Sequence, residues 1–379
     1  MLAKSATRRF SNSMPALLAL ATIAALALAG PLTPPAGPVA PTPGPEPRIA
    51  INATNTPGDN DSLFKITQPG SYYLTGNITG VTGKHGIEIV ASGVTVDLNG
   101  FDLVGLTGMG AFDGVCVNVS NLSNIEVRNG SVRNWGDDGV DFRSTARSSI
   151  VRDVRSSGNA DNGIVVGSSC TVIECLANDN GLFGIATSTG STVTGCTASN
   201  NGNAGISTGN ANTITGCTAI SNGNGGIGTV SGSTITGCTA SLNGAAGISA
   251  INGTTISGCT SYFNVGDGIA VTGQCVVIGN TCSSNGNGGN GAGILASGSD
   301  NRIENNNCSG GDRGIDVDGT GNIIIKNTCS GSTTNWTIVA GNHYGPIIDR
   351  SAVAAPPAVN GSAATEALGS THPNANFTY

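Results

Sequence analysis

Residues 135–142 read Trp-Gly-Asp-Asp-Gly-Val-Asp-Phe and bring Asp137, Asp138 and Asp141 close together in the chain. Paired carboxylates can share the acid and base work of breaking a glycosidic bond. Asp113 and Asp138 each precede a glycine of the same repeat, so they are expected to stack on neighbouring turns of chain. Arg128 and Arg152 align in the same way, on the outward side of another strand. An arginine beside such acids would grip a uronate or serve as the base of a β-elimination. The candidate catalytic set is therefore Asp113, Asp137, Asp138, Asp141, Arg128 and Arg152. The competing reading is bland, because Asp-Gly before a strand is also good turn chemistry. Asp316 and Asp318 form a candidate Ca²⁺ pair, although the further oxygens of an EF-hand loop are missing. A solvated, charged end that discourages stacking of exposed edges accounts for them as well. No other metal and no cofactor is expected.

The rest of the chain is poor in chemistry. No Lys or Arg occurs from Ser156 to Asn301, and the acids there are Asp161, Glu174, Asp179, Asp267 and Asp300. Catalysis, if present, must sit near one end. Charged residues make up 10% of the 379 and aromatics 4%, while Gly occupies 59 positions. Ordinary globular domains carry about 25% charged residues. A net charge of −7 with only 16 Lys and Arg leaves no electrostatic footprint for nucleic acid.

What must position the candidates is a repeat. Gly followed by Ile or Val recurs at Gly86, Gly114, Gly139, Gly163, Gly184, Gly205, Gly226, Gly247, Gly268, Gly293 and Gly314. The first steps are 28, 25 and 24 residues; five steps of 21 follow, then 25 and 21. Each central repeat holds three β-like pieces, Gly-Ile-x-x, Thr-Val/Ile-Thr and Cys-Thr-Ala, divided by Gly, Asn and Ser turns. No piece is long enough for a helix, and no apolar spacing follows a 3.6-residue period. Such a chain coils, with each Ile or Val pointing inward and stacking on its equivalent about 4.8 Å away. The expectation is an all-β parallel solenoid of about twelve turns, three strands per turn, and about 55–60 Å long.

Over residues 50–345 this pattern resembles the right-handed parallel β-helix repeat of the pectin-lyase-like superfamily. Segments 66–80, 94–100 and 335–349 are similar to exported bacterial β-helix proteins with no assigned activity. The resemblance implies the fold, but lyases, hydrolases, epimerases, tailspikes and adhesins share it. Residues 135–142 resemble the paired aspartates of polygalacturonase-like hydrolases. However, the Gly-His-Gly and Arg-Ile-Lys motifs of that family are absent, and Lys84-His85-Gly86 is not their equivalent.

Cys175, Cys196, Cys217, Cys238 and Cys259 lie 21 residues apart, and Asn280, Asn306 and Asn327 continue their column. Ala198, Ala219, Ala240 and Ser261 form a second column, continued by Cys282, Cys308 and Cys329. Stacked Cβ atoms stand about 4.8 Å apart with parallel vectors, whereas a disulfide prefers about 3.8 Å with converging ones. Reduced, buried thiols are expected. Thr192, Thr213, Thr234 and Thr255 form an outward file, with Thr194, Thr215, Thr236 and Ser257 beside it. This Thr-x-Thr array resembles those of ice-binding β-solenoids, although Thr is also simply a good exposed strand residue.

Residues 1–29 read as an export signal, with Lys4, Arg8 and Arg9 before an apolar stretch ending at Ala27-Leu28-Ala29. That stretch is shorter than the ~20 residues of a membrane span. Residues 30–47 read as a Pro-rich tether, 48–345 as the β-helix with its N-terminal cap, and 346–379 as a C-terminal cap and tail. The expected location is secreted, periplasmic or on the surface of a bacterium, as a monomer with no membrane span in the mature chain. Composition favours a non-catalytic protein that binds extracellular or cell-surface carbohydrate. A polysaccharide lyase or hydrolase using the N-terminal acids and arginines is the alternative, and a structural or adhesive rod is the third reading.

Overall fold

The computed structural model describes residues 47–143, 146–286, 289–351 and 371–379. The expected export signal, and all of the tether but Pro47, lie outside the described residues. From Arg48 onward the chain forms one unit of short parallel strands, with no helix among the described residues. Accordingly, no helix there is long and apolar enough to cross a membrane.

Two large sheets run along the coil. One has thirteen strands, one per coil, from Ser62–Ile66 to Thr334–Ile338. This is close to the twelve turns read from the repeat. The other has twenty-six strands and takes two from each central coil, such as Thr213–Thr215 and Thr218–Ile220. Register is strict. Ile164, Ile185, Ile206, Ile227, Ile248 and Ile269 pair in succession on the first sheet. Val172, Val193, Ile214, Ile235 and Ile256 do so on the second. All of these are buried, so each packs between its own equivalents above and below. The Thr files alternate with them in the expected register, Thr192↔Thr213↔Thr234↔Thr255.

The glycine that marks the repeat is required by close approach. A Cβ at Gly226 would fall 2.4 Å from the Gly247 carbonyl oxygen and 2.7 Å from Asn243 Nδ2. That Asn belongs to a buried ladder at the corner. Asn222 Nδ2 donates to Asn243 Oδ1 (2.9 Å), and Asn243 Nδ2 donates to Asn264 Oδ1 (2.9 Å). Each rung satisfies amide groups that the tight corner hides from water.

The eleven cysteines are free and buried. In the expected column, the Cys217 N–H points at Cys238 Sγ (3.5 Å), and Cys238 Sγ donates to the Thr236 carbonyl (3.4 Å). Asn takes over where foreseen. The Cys259 N–H donates to Asn280 Oδ1, and the ladder continues through Asn306 and Asn327 to Asn376.

Candidate functional site

The first coils of the thirteen-stranded sheet differ from the rest on their outer face. The position before each repeat glycine reads His85, Asp113, Asp138 and Asn162, and these side chains form a polar column. The Asp113 N–H donates to His85 Nδ1 (2.9 Å), and the Asp113 carboxylate lies 3.2 Å from the same nitrogen. Asp113 Oδ1 accepts from the Asp138 N–H (2.9 Å), and Asp138 Oδ1 accepts from both the N–H and Nδ2 of Asn162 (2.8 Å each). A second outward column runs Lys65, Glu88, Cys116, Asp141 and Val165 in register. Pleat turns Glu88, Cys116 and Asp141 to the outer face, whereas Asp113 and Asp138 stand three residues earlier, at the corner before the strand, and are buried there.

One carboxylate oxygen from each of Asp113, Asp137 and Asp138 lies within 4.8 Å of the others. Arg143 is the cation of the group. Its guanidinium pairs with Asp138 and lies 3.5 Å from Asp141. Asp138 is wholly buried and Asp113 nearly so, whereas 53% of the Arg143 side chain is exposed. Next to Arg143, Val165, Val166, Ala186, Thr187, Ser188 and Gly209 line a shallow groove of about 340 Å³.

Crowding of acids shapes their protonation. Burial, reinforced by the charges of Asp113 and Asp138, raises Asp141 to about 7, against the pull of Arg143. Burial and the charges of Asp113, Asp138 and Asp161 raise Asp137 to about 6. Asp138 is also raised by burial, opposed by its bonds from Asn162 and by Arg143. For His85, burial works against the charged ring, but the Asp113 carboxylate outweighs it and the net shift is upward.

Four of the six candidates thus gather: Asp113, Asp137, Asp138 and Asp141. Arg128 and Arg152 do align with each other, but on the twenty-six-stranded sheet. There Arg128 pairs with Asp97 (3.3 Å) and Arg152 with Glu126 (2.5 Å), so neither is the cation of the acid group. That place belongs to Arg143, and His85 and Cys116 join it unforeseen. His85 holds the place before Gly86 that Asp113 and Asp138 hold before Gly114 and Gly139, and that shared place is its signal in the sequence. At the other end, Asp316 is buried and pairs with Arg313 (2.6 Å), while Asp318 is exposed. Among the described residues, neither belongs to a group of three ligating side chains.

The family profile described as a right-handed β-helix region matches residues 66–219 and again 116–255. Among solved structures, the A-module of mannuronan C-5 epimerase AlgE6 of Azotobacter vinelandii superposes with a TM-score of 0.58 at 16% identity. That match covers 73% of this chain and 89% of the other. The AlgE4 A-module of the same organism gives 0.53 at 16% identity, covering 73% and 90%. A tailspike protein variant of E. coli bacteriophage HK620 gives 0.55 at 14% identity, covering 74% and 66%. No curated protein matches this chain in sequence. Identities this low speak for the common coil alone; the profile, which spans half of the chain, places it in the right-handed β-helix family.

Proposed function

We propose that this protein is a polysaccharide-acting enzyme, a glycoside hydrolase whose acid and base are Asp141 and Asp137. The observation that carries this reading is the convergence of Asp113, Asp137, Asp138 and Asp141 around Arg143, beside an open groove. A carboxyl raised to about 7 keeps its proton near neutrality and can protonate a departing glycosidic oxygen. One raised to about 6 is mostly ionised there and can activate water. Asp138 and Asp113 hold the coils through main-chain bonds and supply the charge that sets the other two apart.

Substrate class follows from the same charges. A lyase must neutralise a uronate carboxylate and the anion that forms beside it, but among the described residues of these two columns and the acid cluster the cations are Arg143 and Lys65, and Lys65 is already paired with Asp59 and Glu88. The groove floor of Val, Ala, Thr and Ser suits uncharged sugars, so a neutral glycan is the assigned substrate. The names of the structural neighbours, epimerases acting on mannuronan, support carbohydrate in general. Export through residues 1–29 belongs to the proposal, since it would bring the site to extracellular polysaccharide.

Non-catalytic glycan binding keeps one specific support. Asp113 and Asp138 each bond the next coil's backbone, so part of the cluster holds the fold without any substrate. The test is a panel of neutral and acidic polysaccharides incubated with the full chain, reading retention, new reducing ends and unsaturated product. Hydrolysis of a neutral glycan, lost in Asp141→Asn with retention intact, is expected. Retention without turnover would leave the binder, and unsaturated product from a uronate polymer would replace the hydrolase by a lyase.

A further inference from the structure

Cys116 is unlike the other ten cysteines. Those ten all pack within the contiguous apolar cluster, whereas Cys116, though buried, stands outside it. Its strand neighbours Val115 and Val117 point inward and are core residues, which turns Cys116 to the outer face between Glu88 and Asp141. It is nevertheless fully buried, and the cover is polar. Seven of the core cysteines donate to main-chain carbonyls, as Cys175 Sγ does to the Ile173 oxygen (3.2 Å). Among the described residues, the sulfur of Cys116 instead meets Asn118 Nδ2 (3.5 Å), which also lies 3.5 Å from His85 Nε2.

We infer that His85, Asp113 and Cys116 form a binding site for a thiophilic divalent transition-metal ion of the zinc class. A ring nitrogen, a carboxylate oxygen and Sγ from these three residues lie within 4.8 Å of one another. Ligand atoms about 2.0–2.3 Å from a tetrahedral ion stand roughly 3.3–3.8 Å apart, so a small inward movement closes the set. His85 Nδ1 and the Asp113 carboxylate are already 3.2 Å apart, and an ion on Nδ1 would displace the Asp113 N–H that this nitrogen now accepts. Imidazole, carboxylate and thiolate together favour zinc-like ions over Ca²⁺ or Mg²⁺, which prefer oxygen alone.

The surroundings agree with the ligands. Phe112 lies edge-on to the His85 ring at 5.0 Å and restricts its orientation. Asn118 Nδ2 is placed to donate to a bound thiolate, as groups outside the ligand set commonly do. Three ligands leave a fourth position for water. The site shares Asp113 with the acid cluster but stands independently of the hydrolase reading, because its test needs no substrate.

That test is a Co²⁺ titration of the full-length, metal-free, reduced protein. The expected result is a thiolate-to-cobalt charge-transfer band with tetrahedral d–d absorption, saturating near one ion per chain. Cys116→Ser should abolish the band with an unchanged melting curve, and His85→Gln should weaken binding by about ten-fold or more. Absence of the band in the parent protein would overturn the site. So would its persistence in Cys116→Ser, which would put the ion on another cysteine, or displacement of Co²⁺ by equimolar Ca²⁺. Should Cys116→Ser fail to fold, a band of undiminished affinity in His85→Gln would overturn the site, and a weakened one would uphold it.

Discussion

Asp141 owes its chemistry to where the coil puts it. A carboxylate that would titrate near 3.8 in the open chain is raised to about 7 by burial and by acids on the neighbouring coils. With Asp137 raised to about 6, turnover requires one group ionised and the other protonated, and a bell-shaped rate profile follows. Its maximum should lie between pH 6 and 7. Asp141→Asn should cut the rate by about 10²–10⁴-fold, checked by initial rates across pH. Stability carries the same signature with a definite sign. Between pH 4 and 7 the folded chain binds more protons at Asp141 than the unfolded chain does, so stability falls as pH rises through that window. The loss is complete above the folded value. Asp141→Asn removes this penalty, so the variant should match the parent near pH 4 and exceed it by up to about 4 kcal/mol at pH 8. Denaturant midpoints at the two pH values check this.

At the scale of the strand, each inward residue is held by its own copies. Ile214 is buried between Val193 and Ile235, whereas Thr215 on the same strand faces outward. Ile214→Ala should cost about 2–5 kcal/mol through lost burial and a cavity. Thr215→Ala should stay within about 0.5 kcal/mol, as surface changes do. Equal losses in urea melts would contradict the assigned faces. Cys196, Cys217 and Cys238 form part of the same packing, and the hydrogen bond to the neighbouring thiol, together with burial, raises each to about 12. They should resist alkylation until the protein is denatured, and mass spectrometry showing disulfides between successive members would refute that. These columns were legible in the sequence because equal steps of 21 residues reveal register directly. The site was half legible. Asp113 and Asp138 stand at a fixed place before the glycine, and Glu88, Cys116 and Asp141 at an equally fixed place two residues after it, but mixed residue types left that second column unremarked. Arg128 and Arg152 were aligned correctly with each other. Their place on another strand was legible too; what the spacing did not reveal is that this strand pairs them with Asp97 and Glu126, and Arg143, two residues beyond Asp141, took the role beside the acids.

The whole coil has two ends to protect, because an unpaired strand edge invites another chain. At the start, Ile49–Ala50 pairs with the strand Gly70–Tyr73, and Arg48 bonds Asp97 (3.0 Å). At the finish, Asn376–Thr378 pairs with both Thr328–Ser330 and Ile347–Asp349, and Asn376 closes the asparagine ladder. Trp336 Nε1 adds a bond to Thr378 Oγ1 (2.5 Å). Removing residues 371–379 would leave the N–H of Asn327 without Asn376 and uncover the edge of Thr328–Ser330. The shortened chain should melt at a lower temperature and associate through the bared end, seen as a concentration-dependent rise in mass on size exclusion. A monomer of unchanged melting temperature would show that the terminal strand does not seal the rod.

The uniform coils between Ile185 and Ile269 carry a genetic consequence. A 21-residue step corresponds to 63 bases of coding sequence, and where successive units remain alike such arrays can recombine and slip during replication. Misaligned exchange adds or removes whole units without shifting the reading frame. Every inward side chain then finds an equivalent partner, and neither the acidic face nor the terminal strand is disturbed. Natural alleles of this gene should therefore vary in length by multiples of one coil, with the variation confined to the middle of the reading frame.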